Sequence, residues 1–540
     1  MIFARRLRCL ALTLICVAPL VACADDIEQQ LLEARLQQLT AAGEDIQALT
    51  APDVVAALYE QRGNTLLWDE ARRRSLVESL SRSDLEGLSP ADYNASALAS
   101  LPALDSLSAE ARVDADLALT DAFLRYLYHM RFGKVDAASY DATWNFPRRV
   151  QLEDPIAAIA QTFSAGDFAQ ALAAYAPKSS LYSGLKAQLT RYRTIAANGG
   201  WPDVASTPVL KPGMTDPNVV LLRKRLAAEG YAVADVDSPN YDAPLEAIVR
   251  EYQRLNGLGA DGAIGARSVA ALNVPVQARI DQIRVNLERL RWIERARTKR
   301  FIAVNIAGFE AHLIEDGRSI WSARVMVGKP YRQTPTFIAD MKYIVFNPDW
   351  TVPPTILRQD VLPALRKNPG YLAEKHMEVL DRSGKRIDPA TIDWTRYPPE
   401  RFPYMIRQVP GPWNSLGRVK FIFPNPEFVF LHDTPARELF DKPERTFSSG
   451  CIRLEHPFEF AQLLLPGWDM ARIDEVLATA TPKTVFLPQP VPVLLVYLTS
   501  LALQDGTMRF YRDIYSSDGR VLDALNAGFV YRAPEGLPVR

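Results

Sequence analysis

Near residue 300 the hydrophobic pattern of this 540-residue chain changes its period, so no single layer type can accommodate both halves. Upstream, Ile27 to Ala41, Pro52 to Arg62 and Leu117 to Phe132 are rich in Ala, Leu, Glu and Arg at amphipathic spacing, which predicts helices. Downstream, Phe301 to Ile306, Ala323 to Gly328 and Tyr343 to Phe346 carry β-branched and aromatic residues separated by turns such as Asp316-Gly317. Lys420 to Phe423 and Glu427 to Leu431 read as two further strands around Pro424-Asn425-Pro426. The expected class is therefore multidomain α+β, and the length allows three or four domains.

The chain divides accordingly. Residues 25–205 read as a helical scaffold, punctuated by Gly87-Leu88-Ser89-Pro90 and Asn198-Gly199-Gly200-Trp201-Pro202. His129, inside the aromatic helical run Tyr126 to Met130, reads there as a structural histidine. Residues 206–275 form a compact helical module: Val219, Leu222 and Leu226 make one stripe, and Leu245, Ile248, Val249, Tyr252 and Leu255 a second. Ile280, Ile283, Leu287 and Leu290 continue as a connecting helix over 276–299. A mainly β domain spans 300–490, with an insertion at about 354–412. Helices expected at Ile356 to Lys367 and Tyr371 to Glu378 make that insertion a cap beside the site. Residues 491–540 read as an extension packing on the core. Within it Val491 to Leu503 is apolar, but Pro490 and Pro492 near its start argue against a membrane span.

At the beginning of the chain, Arg5, Arg6 and Arg8 precede the apolar stretch Leu10 to Val21, the pattern of an export signal over 1–24. Leu20-Val21-Ala22-Cys23 resembles a lipoprotein box that would acylate Cys23 and tether the protein to a membrane. Ala22-Cys23-Ala24 equally offers an ordinary signal-peptidase site, and both readings stand. With Cys9, Cys16 and Cys23 in that segment, Cys451 is the one cysteine of the exported body and has no thiol to pair with. The net charge of -1 gives no general drive toward nucleic acid. Five scattered histidines and a lone body cysteine provide no metal-ligand set, so neither metal nor cofactor is expected.

Cys451 lies in Ser448-Ser449-Gly450-Cys451-Ile452-Arg453, nineteen residues after His432 in His432-Asp433-Thr434-Pro435. A thiol titrating near its unperturbed value of about 8.5 needs a neighbouring base or cation to become an effective nucleophile, and His432 can take its proton. The amides around Gly450 and Cys451 are candidate oxyanion donors. Ser448 and Ser449 are candidates to bond or orient the imidazole. Arg453 either meets a substrate carboxylate or pairs with Glu455. A buried structural thiol is the bland alternative, and small polar neighbours argue against it.

Two family resemblances follow from these residues. Tyr252-Gln253 followed by Gly257-Leu258 and Asp261-Gly262-Ala263-Ile264-Gly265 resembles the peptidoglycan-binding domain of cell-wall enzymes, with a plain helical spacer as the alternative. His432-Asp433-Thr434-Pro435 with Ser448 to Arg453 resembles the active-site motif of L,D-transpeptidases with a YkuD-type catalytic domain. Val327-Gly328-Lys329-Pro330, Thr334-Pro335-Thr336, Asn347 to Pro354 and Asn414 to Phe421 look like the same family. The whole arrangement is similar to the large periplasmic L,D-transpeptidases of Gram-negative bacteria.

That resemblance implies a periplasmic enzyme acting on peptidoglycan stem peptides, alone or with other cell-wall synthesis proteins. It cross-links third-position diaminopimelate residues through a thioester on Cys451, with release of D-alanine and sensitivity to carbapenems. It implies Cys451 as nucleophile, His432 as general base, Gly450 and Cys451 as oxyanion contributors, Ser448, Ser449 and Arg453 as support, and Phe430, Trp413, Asn414 and Arg418 as substrate contacts. Two positions depart from the pattern: Ser449 stands where many shorter members have histidine, and Phe430 where tyrosine is frequent. Asp433 is a poor partner to orient His432, because neighbours on a strand face opposite ways; a backbone carbonyl serves as well. An L,D-carboxypeptidase, a hydrolase releasing wall proteins and an inactive wall-binding scaffold remain as alternatives. A papain-like protease fits less well, since His432 precedes the cysteine.

Overall fold

The computed structural model describes residues 24–41, 49–141, 143–147 and 154–529. Up to residue 23, the segment expected to direct export, with Cys9, Cys16 and Cys23, lies outside the described residues. Helices at Ala24–Ala41, Pro52–Gln61, Glu70–Ser81, Ala109–Phe132 and Ser180–Ala197 dominate the first block. Asp69 and Ser108 cap two of them by accepting the amides of Arg72 and Ala111, the short polar oxygen supplying a partner that a first turn otherwise lacks. The helix Ala109–Phe132 is buried almost all round and carries Asp116 inward. Its carboxylate accepts Tyr59 Oη at 2.5 Å and the Leu67 and Trp68 amides at 3.1 and 3.0 Å. Burial pushes that carboxyl up to about 6.

In the small module, helices Pro217–Ala228, Ala243–Leu255 and Ala266–Leu272 close around Leu222, Val249, Tyr252 and Ile264. Gln253 accounts for much of the module's sequence signature. Its amide nitrogen donates to Asp261 Oδ1 and the Ala263 carbonyl, both at 2.9 Å, and its oxygen accepts the Gly262 amide at 2.9 Å. The motif thus holds a turn together by satisfying its buried polar groups.

The connecting helix runs Val276–Ile293 and acts as a hub. Glu288 and Arg291 pair at 2.9 Å with both side chains buried, and Glu288 also accepts the Val135 amide at 2.7 Å from the scaffold. Asn286 donates to Thr499 Oγ1 at 2.8 Å on the other side. Breaking such a pair would strand a buried charge, so the helix locks its neighbours in one arrangement.

Nine strands build the main sheet: β1 Arg300–Asn305, β2 Glu310–Glu315, β3 Arg318–Gly328, β4 Phe337–Phe346, β5 Val419–Ile422, β6 Leu431–His432, β7 Thr446–Ser448, β8 Ile452–Leu454 and β9 Lys483–Val496. Their order is β7-β3-β8-β6-β5-β4-β9-β1-β2, and β2 also pairs with β3, so the sheet closes on itself around an apolar core. Two expectations change here. Glu427 to Phe430 is a turn with Phe428 at φ +54°, leaving only Leu431–His432 in the ladder. The boundary at 490 falls inside β9, whose residues Val491 to Leu495 pair with β4 while Ile302 to Asn305 of β1 flank it on the other side. Pro488 and Pro490 are tolerated because the register shifts between Phe486 and Val491.

The cap is α+β rather than helical. Its first half holds helices Pro354–Ile356 and Leu362–Lys367 joined by a π-helical turn, Leu357–Val361. The helix Tyr371–Glu374 then stops at His376, which takes φ +52°, and Met377–Leu380 becomes a strand. That strand joins Trp350–Thr351, Arg386–Ile387 and Met405–Gln408 in a separate four-stranded sheet.

Candidate active site

β6 and β8 are parallel neighbours, with Leu431 opposite Ile452 and His432 opposite Arg453. Leu431, Ile452 and Leu454 are fully buried and turn into the core, so alternation sends His432 and Arg453 to the other face. One step earlier the same register sets Cys451 beside Phe430, and the Ile452 amide donates to the Phe430 carbonyl at 3.1 Å. Phe430, His432, Cys451 and Arg453 therefore share a face.

The turn before Cys451 is held from several directions. Gly450 adopts φ +118°, a conformation that a Cβ disfavours. Thr334 Oγ1 donates to the Gly450 carbonyl at 2.7 Å and accepts the Gly328 amide at 2.9 Å. Gly328 in turn comes so close to the Arg332 carbonyl that a Cβ there would collide with it. Tyr515 Oη donates to the Gly328 carbonyl at 2.7 Å and accepts the Thr334 amide at 3.1 Å. Each such bond contributes roughly 0.5–1.5 kcal/mol, and together they fix the backbone that presents the thiol.

The histidine's tautomer follows from its partner. His432 Nδ1 lies 2.6 Å from the Asp433 carbonyl, which can only accept, so Nδ1 carries the proton and Nε2 keeps its lone pair. Burial first, then the Arg453 charge, lowers the imidazole to about 3. Burial likewise pushes the Cys451 thiol up to about 11, against the pull of a backbone hydrogen bond from Phe430 and of the Arg453 charge. Cys451 keeps part of its surface open, and its Sγ donates to the Phe428 carbonyl at 3.7 Å. The resting pair at neutral pH is a neutral thiol beside a neutral base.

Arg453 resolves one open alternative. Glu455 is taken by Arg324, whose Nε lies 2.8 Å from Oε2. The Arg453 side chain finds no hydrogen bond or ion pair among the described residues, and its Nε is buried without a partner. An unpaired guanidinium next to the thiol is suited to a carboxylate from outside.

Several expected contacts fall elsewhere. The Gly450 amide is engaged by Ser448 Oγ at 3.1 Å, leaving the Cys451 amide, without an acceptor among the described residues, as the available oxyanion donor. Ser448 Oγ also donates to the Cys451 carbonyl at 2.5 Å, and Ser449 Oγ accepts Arg332 Nη1 at 2.9 Å, so neither serine bonds the imidazole. Asn414 is fully buried and spends its amide on the carbonyls of Pro348, Gln408 and Val409, which shapes the loop and leaves nothing for substrate. Arg418 Nη2 donates to the Leu477 carbonyl at 2.5 Å, fastening a neighbouring helix. Trp413 is 42% exposed and stacks on His376 with ring centroids 4.0 Å apart. Phe430 leans on the His432 ring at 5.7 Å.

Sequence reasoning missed five contributors. Thr334 and Gly328 stood in quoted motifs without a role. Tyr515 and the exposed Phe428 carried no signal, because a residue distant in sequence or a single loop aromatic looks ordinary until the fold brings it in. Arg332 joins the catalytic turn to the cap: besides Ser449, it reaches Asp360 at 2.6 Å and Gln359 at 2.6 Å in the π-helical turn.

Comparison with known families decides the type of domain, since residues 299–476 match the family described as "L,D-transpeptidase catalytic domain". The chain carries an L,D-transpeptidase catalytic domain. Residues 53–189 match "Scaffold domain" and residues 215–272 match "Putative peptidoglycan binding domain". A curated "Putative L,D-transpeptidase" of Haemophilus influenzae is 35% identical over 242 residues, 44% of this chain and 48% of that protein. The chain thus matches about half the length of this curated relative. Among solved structures, the L,D-transpeptidase of Xylanimonas cellulosilytica is 14% identical, covering 54% of this chain and 99% of that one, with a TM-score of 0.18. The L,D-transpeptidase from Mycobacterium smegmatis is 12% identical, covering 37% of this chain and 58% of that one, with a TM-score of 0.17. Neither score supports a fold comparison. Both Cys451 and His432 fall inside the L,D-transpeptidase match. Among the described residues, no helix is long and apolar enough to cross a membrane.

Proposed function

We propose that the protein is an exported, cell-wall-associated cysteine L,D-transpeptidase that joins peptidoglycan stems between third-position diaminopimelate residues. The observation that carries the reading is the shared face of Cys451, His432 and the unpaired Arg453 within the transpeptidase domain. The donor is a tetrapeptide stem, whose terminal carboxylate suits Arg453.

In the first half-reaction Cys451 sulfur attacks the carbonyl between diaminopimelate and the terminal D-alanine while His432 Nε2 takes the thiol proton. Nδ1–H held on the Asp433 carbonyl supports the positive charge that forms on the ring. The oxyanion forms beside the Cys451 amide. Collapse breaks the C–N bond, His432 returns the proton to the leaving amine, and D-alanine departs from a thioester. In the second half-reaction the side-chain amine of another stem attacks the thioester carbon, a C–N bond forms, the C–S bond breaks, and the amine proton reaches the sulfur through His432. Since both partners rest neutral, proton transfer accompanies attack.

The test is incubation of the purified protein with disaccharide-tetrapeptide, followed by mass spectrometry. A dimer lacking one D-alanine is the expected product. Tripeptide without dimer would replace the reading with an L,D-carboxypeptidase, and unchanged substrate with an unmodified thiol would overturn both.

A further inference from the structure

A transpeptidase needs room for two stems at one thiol, and the structure holds a cavity beside the turn before Cys451. It encloses about 510 Å³, within the few hundred to one thousand Å³ usual for small-ligand sites. Ser449 and Gly450 border it on one side and Glu427 and Val429 on another, which are the two segments flanking the thiol: Gly450 precedes Cys451, and the Phe428 carbonyl accepts its Sγ. The far wall comes from the helical scaffold, through Tyr140, Asp141 and Trp144, and from Trp292 of the connecting helix.

That wall is fastened to the catalytic sheet. Asn145 closes a ring with Ile338, donating to its carbonyl at 2.9 Å and accepting its amide at 2.8 Å, and Thr336 Oγ1 donates to the Asp141 carboxylate. The scaffold thus meets the strand that follows the Thr334-Pro335-Thr336 segment, the same segment that pins the Gly450 carbonyl.

The lining is chemically specific. Trp144 and Trp292 meet edge to face at 5.4 Å, and Tyr140 is 39% exposed, so aromatic surface stands open to a ligand. Flat aromatic faces match the C–H faces of a pyranose, and the polar rim matches its hydroxyls. Glu427 and Arg520 are both exposed, and among the described residues neither has an ion pair or side-chain hydrogen bond, so the rim offers one free carboxylate and one free guanidinium. Arg453 does not line the cavity. The cation suited to a donor carboxylate and the carboxylate suited to an acceptor amine are separately placed around one thiol.

We propose that this cavity seats the acceptor: a peptidoglycan stem with its amine-bearing side chain toward Glu427, a carboxylate toward Arg520, and its attached sugar against Trp144 and Tyr140. The assignment rests on the transpeptidase reading above, and it gives the scaffold a direct part in choosing the second substrate. An amine held there attacks the thioester carbon on Cys451; the C–N bond forms, the C–S bond breaks, and the amine proton passes by His432 to the departing sulfur.

Two measurements test it, and they separate its failure from that of the transpeptidase reading. In the first, Cys451→Ala protein is titrated with disaccharide-tripeptide, which has no D-alanine to release, by calorimetry. Adding Trp144→Ala, Tyr140→Ala or Glu427→Gln is expected to weaken binding at least ten-fold with the melting temperature of Tyr140→Ala and Glu427→Gln retained. In the second, protein with Cys451 intact is given tetrapeptide, and thioester formation and dimer yield are followed separately. Glu427→Gln and Tyr140→Ala are expected to lower dimer yield about ten-fold relative to thioester formation, with recovery as acceptor concentration rises. Unchanged tripeptide affinity, or thioester and dimer falling in step, would overturn the acceptor site. Absence of thioester in the unsubstituted protein would overturn the function while the titration still decides the site.

Discussion

The helical scaffold and the catalytic sheet each bury a neutral histidine, and only one of them is in a position to react. His129 is fully buried, with Nδ1 2.8 Å from Tyr93 Oη, and burial holds its imidazole well below the usual range. His432 is 3% exposed, with Nδ1 2.6 Å from a carbonyl, and is lowered for the same leading reason. The difference lies in what shares the face. Around His129 stand the rings of Tyr93 and Phe529, at 5.4 and 4.3 Å. Around His432 stand a partly open thiol and an unpaired arginine. Burial and neutrality are common to both, so what distinguishes His432 is its neighbour and its access.

The contrast breaks most visibly under substitution. Cys451→Ala is expected to abolish every product in the tetrapeptide assay, and His432→Gln to lower thioester formation about 10³-fold, in the range of a lost general base. His129→Phe should leave turnover within about two-fold. A comparable loss from His129→Phe in folded protein would end the distinction.

Reactivity against pH sharpens it next. With the Cys451 thiol near 11, alkylation by iodoacetamide should accelerate about ten-fold per pH unit from pH 8 to 10, because the thiolate fraction grows at that rate. A rate already level by pH 8 would mean a preformed thiolate–imidazolium pair. Arg453→Gln should raise the donor KM by about ten-fold, the order of one charge-assisted contact, with partial recovery in Arg453→Lys.

Stability against pH gives a smaller signal. Both histidines are depressed in the fold, so each contributes stability that is complete above the unfolded value of about 6.5 and is lost as pH falls from there toward the folded value. Asp116, raised to about 6, acts in the opposite sense: its contribution is present below the unfolded carboxylate value and lost as pH rises through about 6. The difference between protein with and without His129→Phe isolates one histidine. Urea unfolding at pH 7 and pH 5 should show a loss about 1–2 kcal/mol smaller in the variant.

The smallest effect belongs to the cap. Asp360 is half exposed, so its pair with Arg332 is worth at most about 1 kcal/mol in water. Asp360→Asn should change the donor KM by less than about five-fold, and the change should shrink in high salt.

Much of this was legible in the chain because it rests on local rules. Periodicity marks the helices of the scaffold and the strands from Arg300 onward, and Gly450-Cys451 with His432 declares its chemistry through residue type and spacing. The misreadings share a cause. Tyr371 to Glu378 has helical composition, but Val379 pairs with Ile406 across the cap sheet, and that distant partner decides the strand. Asn414 and Arg418 look like polar substrate contacts until the carbonyls of Gln408, Val409 and Leu477 come to meet them. Glu288 and Arg291, in the charged run of the connecting helix, carried no sign that both side chains are fully buried as a pair.

By itself the sequence determined the division into helical and β parts and singled out the candidate thiol and its candidate base, because these depend on periodicity and chemical identity. Tertiary structure alone decided that the Cys451 amide is left free while the Gly450 amide is engaged, that Arg453 is unpaired, that a backbone carbonyl sets the His432 tautomer, and that scaffold aromatics reach the turn before Cys451. Each of those depends on which groups are already satisfied by distant partners, and hydrogen-bond satisfaction is a property of the whole fold.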